Sequence, residues 1–89
     1  MNKFKWTDTK VSFVELINAL QDARCINNGN TSLKDLFSFL GTVFNIHITD
    51  YYRYFTDITH RKGDDDNRTL FLNKLKAALN NHISKSDSR

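Results

Sequence analysis

Not one proline interrupts the 89 residues of this chain, and proline is the residue that removes a backbone donor and breaks helices. Its absence, together with apolar residues recurring every three or four positions, points to long helices and away from a β-rich design. Phe13, Leu16, Ile17 and Leu20 share one stripe of a helix expected over residues 8 to 24, with Glu15 and Asp22 opposite and Thr7 or Asp8 as its N-cap. The run Ile26-Asn27-Asn28-Gly29-Asn30 is the clearest breaker, because Asn and Gly both tolerate the left-handed conformation of a helix stop. Ser32 followed by Asp35 resembles a capping box. It opens a second helix over about 32 to 44 with the stripe Leu33, Leu36, Phe37, Leu40, Val43 and Phe44.

After a connector at 45–48, Thr49 or Asp50 caps a third helix over about 50 to 61. Residues 62–67 form a polar break, and a fourth helix begins near 67 to 69 with Phe71, Leu75, Ala78, Leu79 and His82 on one face. Residues 84–89, SKSDSR, read as a frayed tail. The expected fold is all-α, a small bundle of about four helices in one domain. Its second and third helices, about four residues apart, make a helix-turn-helix core.

A chain this short buries only roughly 60–65% of its unfolded surface, which leaves little scaffold for a catalytic cleft. No nucleophile–base pair and no Gly-rich phosphate loop is present, so neither an enzyme nor a small-molecule substrate is expected. Cys25 is the only cysteine, which excludes an intrachain disulfide and a cysteine zinc site. His47, His60 and His82 contain no pair at helical ligand spacing, so no metal and no cofactor is expected. The start MNKFKW is too polar for a signal peptide and no apolar run approaches a membrane span of about 18 residues, which predicts a cytoplasmic protein. A net charge of +3 and a pI near 9.2 lean toward polyanions, diluted by the run Asp64-Asp65-Asp66.

The segment from Thr49 to Leu72 carries the functional signal. Tyr51, Tyr54, Phe55 and Ile58 form its apolar side, and Tyr52, Arg53, Thr56 and His60 gather on the other. Such a face suits a DNA major groove: Arg bonds guanine bidentately, Thr offers a methyl to thymine, and Tyr hydroxyls hold phosphates. Arg61, Lys62, Arg68, Lys74 and Lys76 supply candidate phosphate ligands, joined by Lys3, Lys5 and Lys10 if the N-terminus folds back. The competing readings are a solvated helix with Arg53 paired to Asp57, and scattered surface charge. Trp6 and Phe4, between lysines, read as core packing.

The segments KWT-x-x-KV-x-x-VELI-x-AL (Lys5 to Leu20), CINNG (Cys25 to Gly29), FNI (Phe44 to Ile46), DYYR-x-F (Asp50 to Phe55) and RK followed by RT-x-FL-x-x-L (Arg61 to Leu75) resemble the C-terminal region of the RteC family. The resemblance implies a regulator of conjugative mobile elements that activates excision genes by binding promoter DNA through a winged-helix or helix-turn-helix domain. It further implies that this chain is the C-terminal part of a longer regulator. The spacer Gly63–Asn67 is acidic and has little β propensity, so a two-stranded wing would have to arise elsewhere. The partner expected is double-stranded promoter DNA, with a homodimer as a further expectation. The alternative function is a protein-interaction or dimerisation module built on Tyr52, Phe39 and the fourth helix.

Overall fold

Hydrogen bonds at the helix ends, more than propensity, set where this chain turns. The computed structural model describes residues 3–63 and 65–87, with the side chains of Asp65 and Asp66 outside that description. Helix α1 (Lys10–Asp22) is capped by Thr9, whose Oγ1 accepts from the Ser12 N–H at 3.0 Å. The cap thus lies one residue beyond Asp8 and two beyond Thr7. Asp8 instead accepts from the Thr9 N–H and reaches Lys74.

At the far end of α1, Arg24 sits at φ +59 while the Cys25 N–H bonds Leu20 O and the Arg24 N–H bonds Gln21 O, both at 3.1 Å. That pair of bonds closes the helix through a left-handed residue. The breaker predicted at 26–30 follows as a 3₁₀ turn, Asn27–Gly29, with Asn27, Asn28 and Gly29 all at positive φ.

Helix α2 (Leu33–Val43) starts at Ser32, which accepts from the Asp35 N–H. It ends by the same device as α1: Asn45 is left-handed, and the Ile46 N–H bonds Gly41 O at 2.9 Å. A Cβ on Gly41 would stand 2.5 Å from Ile46 O, so glycine is what lets the connector double back. Helix α3 (Tyr51–Thr59) follows after residues 44–50, a longer connector than the sequence suggested because this closure consumes Phe44 and Asn45. A single turn, α4 (Asp65–Arg68), then leads into α5 (Leu70–Asp87).

The all-α expectation holds, and among the described residues there is no strand, so no wing is formed there. The role of Asp64 in a wing or break lies outside the described residues. The polar break at 62–67 is shortened by α4, and α5 stays helical through Asp87, past the point where a frayed tail was expected.

Helix α1 occupies the centre and packs against α2, α3 and α5. Its Phe13, Val14 and Ile17 are sequestered completely, against Leu36 and Phe37 of α2 and Ile58 of α3. Trp6 closes this core as the sequence indicated, its ring 5.0 Å from Phe13, 6.0 Å from Phe44 and 5.4 Å from Phe71. The Trp6 N–H bonds Phe44 O and Asn45 Nδ2 bonds Phe4 O, which ties the N-terminal segment to the end of α2.

Phe4, read with Trp6 as core packing, is 66% exposed because only its backbone is tied to α2, and two further assignments change. Glu15, expected on the solvent side of α1, is buried at 5% exposure, because a central helix has neighbours on more than one side. Phe55, expected in the core of α3, is 40% exposed, since it stands at the edge of the Tyr51–Tyr54–Ile58 stripe.

Candidate nucleic-acid interface

Ile58 points α3 into the core, and Tyr51 and Tyr54 pack beside it, half-buried. At about 100° per residue, Tyr52, Arg53, Thr56 and His60 fall on the arc opposite those three. All four are exposed. Tyr52 is 69% exposed and its ring lies 4.8 Å from that of Tyr51, which in turn stacks on Phe37 at 4.5 Å and 12°. Loss of solvent, and then the neighbouring Tyr52 hydroxyl, push the Tyr51 hydroxyl above its ordinary value of 10.0. Tyr51 therefore stays neutral through the physiological range.

The Arg53 guanidinium sits 5.2 Å from the Tyr54 ring centroid, a cation–π contact that holds the side chain along the helix surface. Thr56 donates its hydroxyl to Tyr52 O at 2.9 Å, which occupies its donor within the helix. His60 is the C-cap of α3.

The five cations expected at phosphates do not form one set. Arg61 is turned inward: its Nη1 donates to Glu15 Oε1 at 3.1 Å and approaches the carbonyls of Asn67 and Arg68 at 3.5 and 3.4 Å. With its side chain only 22% exposed, Arg61 is a structural tie between α1 and the α3–α5 connection. Lys74 is exposed but bonds Asp8 Oδ2 at 2.7 Å. Lys62, Arg68 and Lys76 are exposed, and Arg68 lies beside Phe55 and Thr59 of α3.

The Lys74 contact has a pH signature. Hydrogen bonding from Lys74, then from the Thr9 N–H and Ser12, lowers the Asp8 carboxyl from 3.8 to about 2. A carboxyl depressed on folding contributes stability that is complete above its unfolded value and disappears as pH falls through the folded one. The Tm advantage of the natural chain over Asp8→Asn is expected at pH 6, shrinking below pH 3.8 and vanishing as pH falls through about 2. An equal Tm gap at both ends of that range would show that the ionised carboxylate is not the cause.

Sequence reasoning missed two features. The first is Glu15, whose Oε2 accepts from the Leu72 N–H at 2.8 Å near the start of α5. Its signal was available: in VELI a carboxylate is flanked on both sides by apolar residues. The second is a groove of about 720 Å³ between α2 and the connector to α3, with Lys34, Ser38, Thr42, His47 and Thr49 over a floor of Phe37, Ile46, Ile48 and Tyr51. Its lining contains no carboxylate. Only folding brings those polar residues beside the start of α3.

Among the described residues, no group of three or more His, Cys, Asp or Glu is placed to hold a metal, and no helix is long and apolar enough to cross a membrane. No curated protein and no solved structure matches the chain. A family model, RteC protein, matches residues 1–87, which include α1 to α5 and the exposed face of α3. The chain belongs to the RteC protein family.

Proposed function

We propose that this chain binds double-stranded promoter DNA in a sequence-specific way, as a cytoplasmic regulator of the excision genes of a conjugative mobile element. One observation carries the reading: α3 is fixed to the core by Tyr51, Tyr54 and Ile58 and presents Tyr52, Arg53, Thr56 and His60 to solvent on its opposite face. In the helix-turn-helix mode the second helix enters the major groove while the first crosses the backbone. Helix α3 takes the first role. Helix α2, with Lys34 and Ser38 above the carboxylate-free groove, takes the second.

Lys62, Arg68 and Lys76 then serve as phosphate ligands, and Arg53 as the principal base reader. Cation–π contact with Tyr54 already restrains Arg53 along the helix surface, which lowers the side-chain entropy lost on binding. The shared chemistry is charge neutralisation by a few exposed cations. Three phosphate contacts predict a loss of roughly 40-fold in affinity between about 50 and 200 mM salt.

Gel-shift titration against the element's own promoter and a scrambled duplex tests the proposal. Tighter binding to the promoter is expected, together with that salt dependence. Arg53→Ala is expected to weaken promoter binding by about 1–3 kcal/mol, or about 5- to 150-fold, and to narrow the gap to scrambled DNA. Equal affinity for both duplexes would overturn sequence-specific reading.

A further inference from the structure

The last helix carries an apolar stripe that the bundle leaves unused. All fourteen residues from Lys74 to Asp87 are exposed, although α5 is helical throughout. At 1.5 Å per residue this arm is about 21 Å long. The radius of gyration, 14.7 Å, exceeds the roughly 12 Å of a compact chain of this size. On the arm, Leu75 is 42% exposed, Leu79 59% and Ile83 46%.

By the helical period, Leu79 and Ile83 lie within about 20° of Leu72, and Leu75 within about 60°. Leu72 lines a groove of about 280 Å³ with Ala19, Phe55 and Ile58. The stripe therefore runs from this groove outward along the arm. A lone helix of this length is marginal in water, and its apolar side gains nothing from solvent.

We propose that the arm pairs with the arm of a second copy of this chain, antiparallel, with its distal end seated in the copy's groove. A two-fold register that sets Leu72 against Ile83 brings Leu75 within one residue of Leu79, and each contact occurs twice. The same offset brings Asp87 to Arg68, which is exposed at the rim of the groove. Charge opposes the parallel choice, which would stack Lys76, about 40° from Leu72 on the helix, on its own copy. In the antiparallel register Lys76 faces Leu79 of the copy instead.

Area explains why the groove is needed. The paired arms alone cover a strip on the order of 20 Å by 10 Å, far below the roughly 800 Å² per partner of a stable interface. Seating the distal turn in the groove adds Phe55, 40% exposed, to the covered surface. The dimer so formed has a Kd of about micromolar order.

Sedimentation velocity on the full chain, without DNA, from about 5 to about 500 μM is the test. A concentration-dependent shift from monomer to dimer is expected. Leu79→Glu, at an exposed site that spares the core, is expected to raise the dimer Kd about 100-fold with the Tm of the bundle kept. Arg68→Asp is expected to raise it about 5-fold, and adding Asp87→Arg to restore it. A monomer at every concentration, or a dimer indifferent to Leu79→Glu, overturns the proposal, and a charge exchange without rescue overturns the antiparallel register. Because no nucleic acid is present, the outcome is separate from that of the DNA-binding reading.

Discussion

Replacing Glu15 with alanine is expected to destabilise this fold by about 3–5 kcal/mol, the cost of breaking a buried ion pair from one side. The carboxylate is 4% exposed and serves two donors, Arg61 Nη1 at 3.1 Å and the Leu72 N–H at 2.8 Å. Without it, Arg61 keeps only the long approaches to the Asn67 and Arg68 carbonyls, and one of the first amides of α5 loses its acceptor. A domain of this size has about 5–15 kcal/mol of total stability, so the loss is a large share of the whole.

Urea unfolding followed by circular dichroism should show the midpoint falling by about 2 M or more. Glu15→Gln keeps an acceptor for Leu72 but not the charge, and should fall between. Arg61→Ala should cost a comparable amount, and the double variant less than the two single losses together. If Glu15→Ala loses under about 1 kcal/mol, the carboxylate does not tie α1 to α5 as the geometry indicates.

Phe13→Ala is the second large effect, expected at about 3–5 kcal/mol. Phe13 is fully buried and stands at the centre of the aromatic cluster, 5.0 Å from Trp6, 6.0 Å from Phe37 and 6.4 Å from Phe44. Those rings are anchored by helix closures and by the N-terminal segment, so they cannot collapse into the space. Differential scanning calorimetry should record a fall in Tm of roughly 12–30 °C. Phe13→Leu keeps most of the volume and should cost less than half as much. A Tm within a few degrees of the natural chain would mean that the core tolerates a cavity its packing does not suggest.

The helices themselves were legible because their signals are local. The left-handed turn between α1 and α2 was announced by Asn27, Asn28 and Gly29, although α1 itself closes earlier, at Arg24, and the start of α2 was announced by Ser32 three residues before Asp35. The outward face of α3 followed from period alone, and its four polar residues are exposed as that period requires. Three things were not legible. Cap position shifted to Thr9 because a lysine 66 residues away engages Asp8. Arg61 looked like a surface cation because its partner lies 46 residues back in the chain. Phe55 and the leucines of α5 looked like core because periodicity identifies an apolar face without saying whether anything covers it.

The absence of proline, the apolar spacing and the Asn and Gly stops determined by themselves that this chain is all-α, with its helices near their observed places. Those signals act within one or two turns of helix, where chain connectivity enforces the contact. The tertiary structure decided which cations stay outside, which carboxylate goes in, and that an arm of α5 is left bare. These depend on distances between residues remote in sequence, which only packing sets. Burial then converts an ordinary surface ion pair into the tie between the first and last helices.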